Sequence, residues 1–277
     1  MNAAIVQAWC AYAGRDPQAA RQILRQATED PRWTGLFQYH PRVRSEHANL
    51  QALIHRALAL DEIPRVIADY VHAAKNAIRA GFDGVQIHGA NGYLIDQFLR
   101  DNSNFRTDAY GGPIANRIRL LGEVTQAVAD TVGADRTSVR LSPNGDTQGC
   151  DDSNPVALFT AAAAALNEIG IAFLELREQK EFGNFGKTDV PRVSPDIRKV
   201  FSGPLILNQE YNLERAEADI ASGLADGISF GRPYISNPDL VERLRVDASI
   251  APDNYRTWYS PGAEGYTDYP VLEREAV

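Results

Sequence analysis

The sequence predicts an α/β fold of the (β/α)8-barrel type, on three observations. From about residue 60 onward, amphipathic helical stretches alternate with short β-rich runs, glycines punctuate the helix ends, and polar side chains gather where the apolar runs stop. Strands joined by helical crossovers run parallel, and in a barrel all their C-terminal ends open on one face, which carries the chemistry. A doubly wound sheet meets the first two observations, but it would not explain polar groups at every strand end.

The elements follow in order. Residues 63–81, "IPRVIADYVHAAKNAIRAG", put Ile67, Val71, Ala74 and Ile78 on one helical face and stop at Gly81, as a C-terminal cap should. "FDGVQIH" reads as a buried strand. A polar, glycine-punctuated loop, "HGANGYLIDQFLRDNSNFRTDAYGG", then covers residues 88–112. The helix "ANRIRLLGEVTQAVADTVG" and the strand "TSVRLSP" come next. The unit recurs as "NPVALFTAAAAALNEIG" with "IAFLELRE", "SPDIRKVFSG" with "PLILNQ", and "NLERAEADIASGLA" with "DGISFGRP". A short helix, "YISNPDLVERLR", follows the fifth strand. The strand ends carry Gln86 and His88, Arg140 and Ser142, Glu175 and Arg177, Asn208 and Gln209, and Gly231 and Arg232.

Composition narrows the function class. A net charge of −8 gives no electrostatic footprint for nucleic acid and no polybasic membrane patch. No run approaches the roughly 18 apolar residues that a membrane helix needs, and the N-terminus has no basic segment leading into an apolar one. Cys10 and Cys150 have no CxxC or histidine-paired spacing, which argues against a metal site and suits a reducing, cytoplasmic setting. Small-molecule chemistry is the expectation.

Three constellations could carry it. Gly231 and Arg232 end a strand just before a helix, where backbone N–H groups and a guanidinium can hold a phosphate; an ordinary surface ion pair is the competing reading. Arg140 lies inside "VRLSP", where a cation needs a partner: either an internal carboxylate such as Glu175 or an electron-rich ligand ring. His88 and Asn91 can donate two hydrogen bonds to one oxygen and polarise it. Tyr93 follows, and a tyrosine phenol, with an ordinary pKa of about 10, can serve as a general acid at neutral pH. A core histidine, a turn-capping asparagine and a packing tyrosine are the plain alternatives.

The stretch "GFDGVQIHGANGYLIDQFLRDNSNFRTDAYGGPIANRIRLL" closely resembles the Old Yellow Enzyme family of FMN-dependent ene-reductases. "VRLSPNG", "LADGISFGRPYISNPDL" and "WYSPGAEGYTDYP" match it in the same order, from about Leu60 to the C-terminus. The resemblance implies that His88 and Asn91 grip a carbonyl or nitro oxygen and that Tyr93 gives a proton to the carbon beside that group. It implies that Arg140 lies over the flavin pyrimidine, that Gly231, Arg232 and the backbone around Asn208 and Gln209 cradle the FMN phosphate, and that Tyr266 stands near the substrate entrance. It further implies NADPH or NADH as reductant and an electron-poor alkene or nitro compound as substrate.

None of the motifs that the resemblance leads one to expect from the family's first three strands is present before residue 60. Three βα units need about 90 residues at ~30 a unit, more than the segment before Leu60 supplies. Residues 1–59 are expected to form a divergent, mostly helical segment ahead of an FMN-binding barrel region over 60–277, so the barrel is expected to be incomplete. A plugging N-terminal segment, a homo-oligomer or other partner covering the open sheet edges, and a truncated gene product are the competing accounts. The alternative function is a catalytically inactive barrel remnant that acts as a binding or assembly partner.

Overall fold

A computed structural model describes residues 57–179, 188–259 and 261–272. The expected helical segment over residues 1–59 lies outside the described residues except for its last three positions. The chain divides into two compact units, Met1–Ile63 and Pro64–Val277, and the fold is described for the second.

Five strands form one parallel sheet in the order β1-β2-β3-β4-β5: Val85–His88, Thr137–Leu141, Phe173–Arg177, Leu205–Asn208 and Gly227–Ser229. Each strand pairs with the next in sequence, without a reversal of order. A doubly wound sheet needs such a reversal to form its ligand crevice. The sequential order is that of a (β/α)8-type barrel, and the described residues supply five of its strands.

The helices arise where the spacing predicts them. The first, α1, spans Ile63–Arg79 and is followed by Gly81 at φ +95°. Helix α2 spans Leu94–Leu99, α3 Ile114–Arg117 and α4 Arg119–Val132. Helix α5, Pro155–Ile169, has a proline in its first turn, the Asn154 side chain accepting from the Ala157 N–H, and left-handed Gly170 as its end. Helix α6 is Ser194–Val200, and α7, Leu213–Ala221, is capped by the Asn212 side chain. Helices α8 (Arg232–Ser236) and α9 (Leu240–Arg245) close the order.

Two elements differ from expectation. The stretch after β1 is not loop throughout, because α2 interrupts it, burying Ile95, Phe98 and Leu99. The expected short helix after β5 is two helices. Pro238 bars the residue before it from helical geometry, and Asn237 sits at φ −138°, ψ 86°.

Period-two alternation gives the sheet two chemically distinct faces. Ile87, Val139, Leu141, Leu174, Leu176, Leu205 and Leu207 are all buried. They share their core with Leu120, Leu121, Val124 and Val128 of α4 and Leu158, Phe159 and Leu166 of α5. Each such side chain contributes about 1.5–3 kcal/mol on burial. The intervening residues point the other way: Gln86, His88, Ser138, Arg140, Glu175, Arg177, Asn208 and Ser229. That second face is polar at its C-terminal end, and the candidate site lies there.

Candidate active site

The polar face closes on itself through side chains. Arg140 on β2 donates from Nη1 to Glu175 Oε1 on β3 at 2.6 Å and from Nη2 to Asn208 Oδ1 on β4 at 2.8 Å. Glu175 Oε1 also accepts from the Ser229 hydroxyl on β5 at 2.5 Å, and Asn208 Nδ2 donates to the Ser229 carbonyl at 2.8 Å. Four strands are thus bonded side to side. Of the two partners proposed for Arg140 on sequence grounds, the carboxylate of Glu175 is present.

Beside this network opens a cleft of about 620 Å³, within the usual range for ligand sites. Asn91, Arg140, Arg177, Asn208, Gln209, Gly231, Arg232 and Trp258 help to line it. Arg232 pairs with Glu210 at 3.2 Å, and its guanidinium lies 5.9 Å from the centre of the Trp258 ring. Backbone strain is also concentrated here: of the non-glycine residues with positive φ, Asn91 (59°), Gln209 (97°) and Glu210 (53°) all line the cleft. Such conformations cost free energy and gather at functional sites.

The loop after β1 is held from several sides. The Asn91 N–H donates to Ser142 Oγ at 2.8 Å, and its carbonyl accepts from Gln148 Nε2 at 2.8 Å. The Gly92 N–H donates to Asp96 Oδ2 at 2.8 Å. Asp96, in the first turn of α2, is fully buried and pairs with Arg100 Nε at 2.8 Å, and Arg100 in turn donates to the Ser142 carbonyl and lies 4.7 Å from the Phe159 ring centre. These contacts join the end of β1 to the end of β2.

His88 ends β1 opposite Arg140 in register. Its ring lies 5.2 Å from that of Tyr93, tilted by 49°. Burial first, and then the Arg140 charge, lower the His88 pKa from its ordinary value, while Asp96 and Glu175 pull the other way. The two leading effects thus favour the neutral imidazole. Tyr93 is 54% exposed, so its phenol faces solvent-accessible space.

Of the residues singled out in the sequence, the cleft brings together Asn91, Arg140, Asn208, Gln209, Gly231 and Arg232. His88 and Tyr93 do not line it; they stand together, with His88 paired in register to Arg140, which does. Tyr266 does not line it, and its hydroxyl donates to the carbonyl of Trp258, which does. Sequence reasoning assigned no role to Asp96 or Arg177. Arg177 is 7% exposed and is surrounded by neutral partners: Nη1 donates to Asn91 Oδ1 at 2.9 Å and Thr147 Oγ1 at 3.0 Å, and Nε to Gln209 Oε1 at 3.1 Å. Burial, with the charges of Arg140 and Arg232, lowers its pKa, and Glu210 opposes them.

A buried polar floor built from parallel strand ends, beside a cleft lined with arginines, is the setting of small-molecule barrel chemistry. Residues 14–249 match the NADH:flavin oxidoreductase / NADH oxidase family. The chain belongs to that family. Its resemblance to the Old Yellow Enzymes is borne out by solved structures of this flavin oxidoreductase group. The Old Yellow Enzyme homologue from Zymomonas mobilis is 58% identical, with a TM-score of 0.77 over 78% of this chain and 61% of that one. Morphinone reductase in complex with tetrahydroNAD is 41% identical, with a TM-score of 0.73 over 79% of this chain and 58% of that one. Among curated relatives, 12-oxophytodienoate reductase 7 of Oryza sativa subsp. japonica is 43% identical over 231 residues, covering 78% of this chain and 59% of the relative. The chain therefore spans about three-fifths of the length of these family members. Among the described residues, no helix is long and apolar enough to cross a membrane, and no cluster of histidine, cysteine and carboxylate side chains could hold a metal ion.

Proposed function

We propose that this protein is an FMN-dependent oxidoreductase that uses NADH or NADPH to reduce electron-poor alkenes, such as α,β-unsaturated carbonyl compounds, or nitro compounds. The observation that carries the reading is the convergence of Asn91, Arg140 and Arg232 on one cleft at the strand C-termini. The donor set suits FMN, whose phosphate is anionic and whose ring edge is rich in hydrogen-bond acceptors. Gly231, Arg232 and the backbone at Asn208 and Gln209 would hold the phosphate, and Arg140, fixed by Glu175, would stand by the ring. When bound, reduced FMN supplies the hydride for the β carbon of the alkene. The nicotinamide in the morphinone reductase structure supports a nicotinamide reductant for this family member as well.

The chain's own groups supply the rest. Neutral His88 and Asn91 Nδ2 donate to the carbonyl or nitro oxygen, where negative charge grows as the alkene is reduced, and donors fixed in advance stabilise that charge. The Tyr93 phenol, beside His88, holds the proton for the α carbon. Tyr266 serves the entrance through its bond to Trp258.

The test is direct. Purified protein mixed with FMN and desalted retains a yellow flavin spectrum, which NADH or NADPH bleaches and an enone restores. If the desalted protein shows no flavin absorbance and FMN fluorescence is not quenched on mixing, the reading is lost.

A further inference from the structure

We infer that Arg177 is a positioning residue that sets the donor polarity of Asn91, turning a two-faced carboxamide into a one-way hydrogen-bond donor. The inference rests on the proposed reading of Asn91 as half of the oxygen clamp.

An asparagine side chain presents a carbonyl on one side and an NH₂ group on the other, nearly equal in shape and opposite in hydrogen-bonding sense. Only the NH₂ face attracts a carbonyl, nitro or phenolate oxygen, because the other face repels it. Something must therefore choose between two orientations related by a half turn. Arg177 can make that choice because a guanidinium has donors and no acceptor. Its Nη1 lies 2.9 Å from Asn91 Oδ1, and the flipped amide would set N–H against N–H there. The oxygen is therefore held toward Arg177. Nδ2, which has no hydrogen-bond partner among the described residues, is left for a ligand.

The arginine is itself held in place. Thr147 Oγ1 accepts from it at 3.0 Å and is fixed by Gln179 Nε2 at 2.9 Å, while Gln209 Oε1 takes Nε at 3.1 Å. The Asn91 backbone is fixed independently through Ser142 and Gln148, so the side-chain torsion is the one freedom left for Arg177 to remove. Arg177 forms no ion pair among the described residues. Its charge-assisted bond to Oδ1 both orders the amide and polarises its N–H groups.

The experiment is a double-mutant cycle on FMN-loaded protein, with 4-chlorophenol as the oxygen ligand and titration calorimetry as the readout. Arg177→Met is expected to weaken phenol binding about tenfold, the order of one lost ordering contact to a charged ligand. In the Asn91→Ala background the same change is expected to have no further effect. Arg177→Lys, which keeps one charged donor, covers the case in which the methionine variant fails to fold, and should lie between wild type and Asn91→Ala. Equal weakening in both backgrounds overturns the inference, as does wild-type affinity in Arg177→Met. Loss of FMN from both variants overturns it too, since the guanidinium would then be holding the cofactor. Wild-type protein that holds FMN but binds no phenol defeats the clamp reading itself, and that failure is seen before any variant is made.

Discussion

Replacing Asp96 by alanine tests how the loop that carries Asn91 and Tyr93 is held. The Asp96 carboxylate is fully buried, accepts from the Gly92 N–H at 2.8 Å and pairs with Arg100 at 2.8 Å, and Arg100 is only 1% exposed. Removing the carboxylate leaves the buried Arg100 with only the half-exposed Asp151 carboxylate, 4.0 Å away, as a counter-charge, and losing its close buried partner costs about 3–5 kcal/mol. It also orphans the buried Gly92 amide, at about 1–3 kcal/mol. Because the two losses share one cavity, a total of about 4–6 kcal/mol is expected rather than their full sum. At about 2–4 °C per kcal/mol for a domain of this size, the midpoint of thermal unfolding falls by about 10–20 °C. Urea unfolding followed by circular dichroism measures the free energy, and the double variant Asp96→Ala/Arg100→Met isolates the charge left behind. The double variant should regain at least about 2 kcal/mol, because a buried pair replaced by apolar groups is often neutral. A single-variant cost below about 1 kcal/mol, or a double variant that loses the sum of the two singles, refutes the argument.

Tyr93→Phe should slow reoxidation of the reduced protein by an enone at least about a hundredfold, the usual share of a general acid, while reduction by NADH or NADPH stays near wild type in stopped-flow measurements; equal slowing of both halves contradicts the assignment. His88, whose pKa is lowered in the folded state, binds its proton less readily than in the unfolded chain. Its contribution to stability is thus complete above the unfolded value of about 6.5 and lost as the pH falls through the lower folded value. From pH 7.5 to pH 5 the urea midpoint should therefore fall further for wild type than for His88→Gln, and parallel changes would count against a lowered His88 pKa. Gly92→Ala, at φ +75° with the new carbon 2.7 Å from the Thr147 carbonyl, should cost about 3 kcal/mol, whereas Gly112→Ala, at φ +78° with open space around it, should cost only the ~1–2 kcal/mol of backbone strain. Equal costs for the two would show that the approach to Thr147 is not confining.

The alternation of helix and strand was legible because each period leaves a trace in a short window and the caps are local: Asn154, Gly170 and Asn212 act on residues within one turn of themselves. Register is not local. Nothing near Arg140 announces that its second bond goes to Asn208, 68 positions away, or that Arg177 reaches Asn91 across 86. The alternation in "FLELRE" does put Glu175 and Arg177 on one face, which was the available signal for both. Helix α2 was hidden because Asp96, Gln97 and Arg100 give its sequence the look of a loop, although Asp96 and Arg100 are the polar pair that lets so short a helix be buried.

The side-to-side bonds of Arg140, Glu175, Asn208 and Ser229 bear on how the sheet assembles. In a parallel sheet, a slip by one residue turns each side chain of the displaced strand to the opposite face. A slip of β3 would carry Glu175 into the leucine layer and leave Arg140 unanswered; a slip of β4 would do the same to Asn208. The four residues therefore work as a check on alignment while the strands dock. A misaligned strand would bury ions against hydrocarbon, and only the correct alignment completes the surface on which the cleft is built.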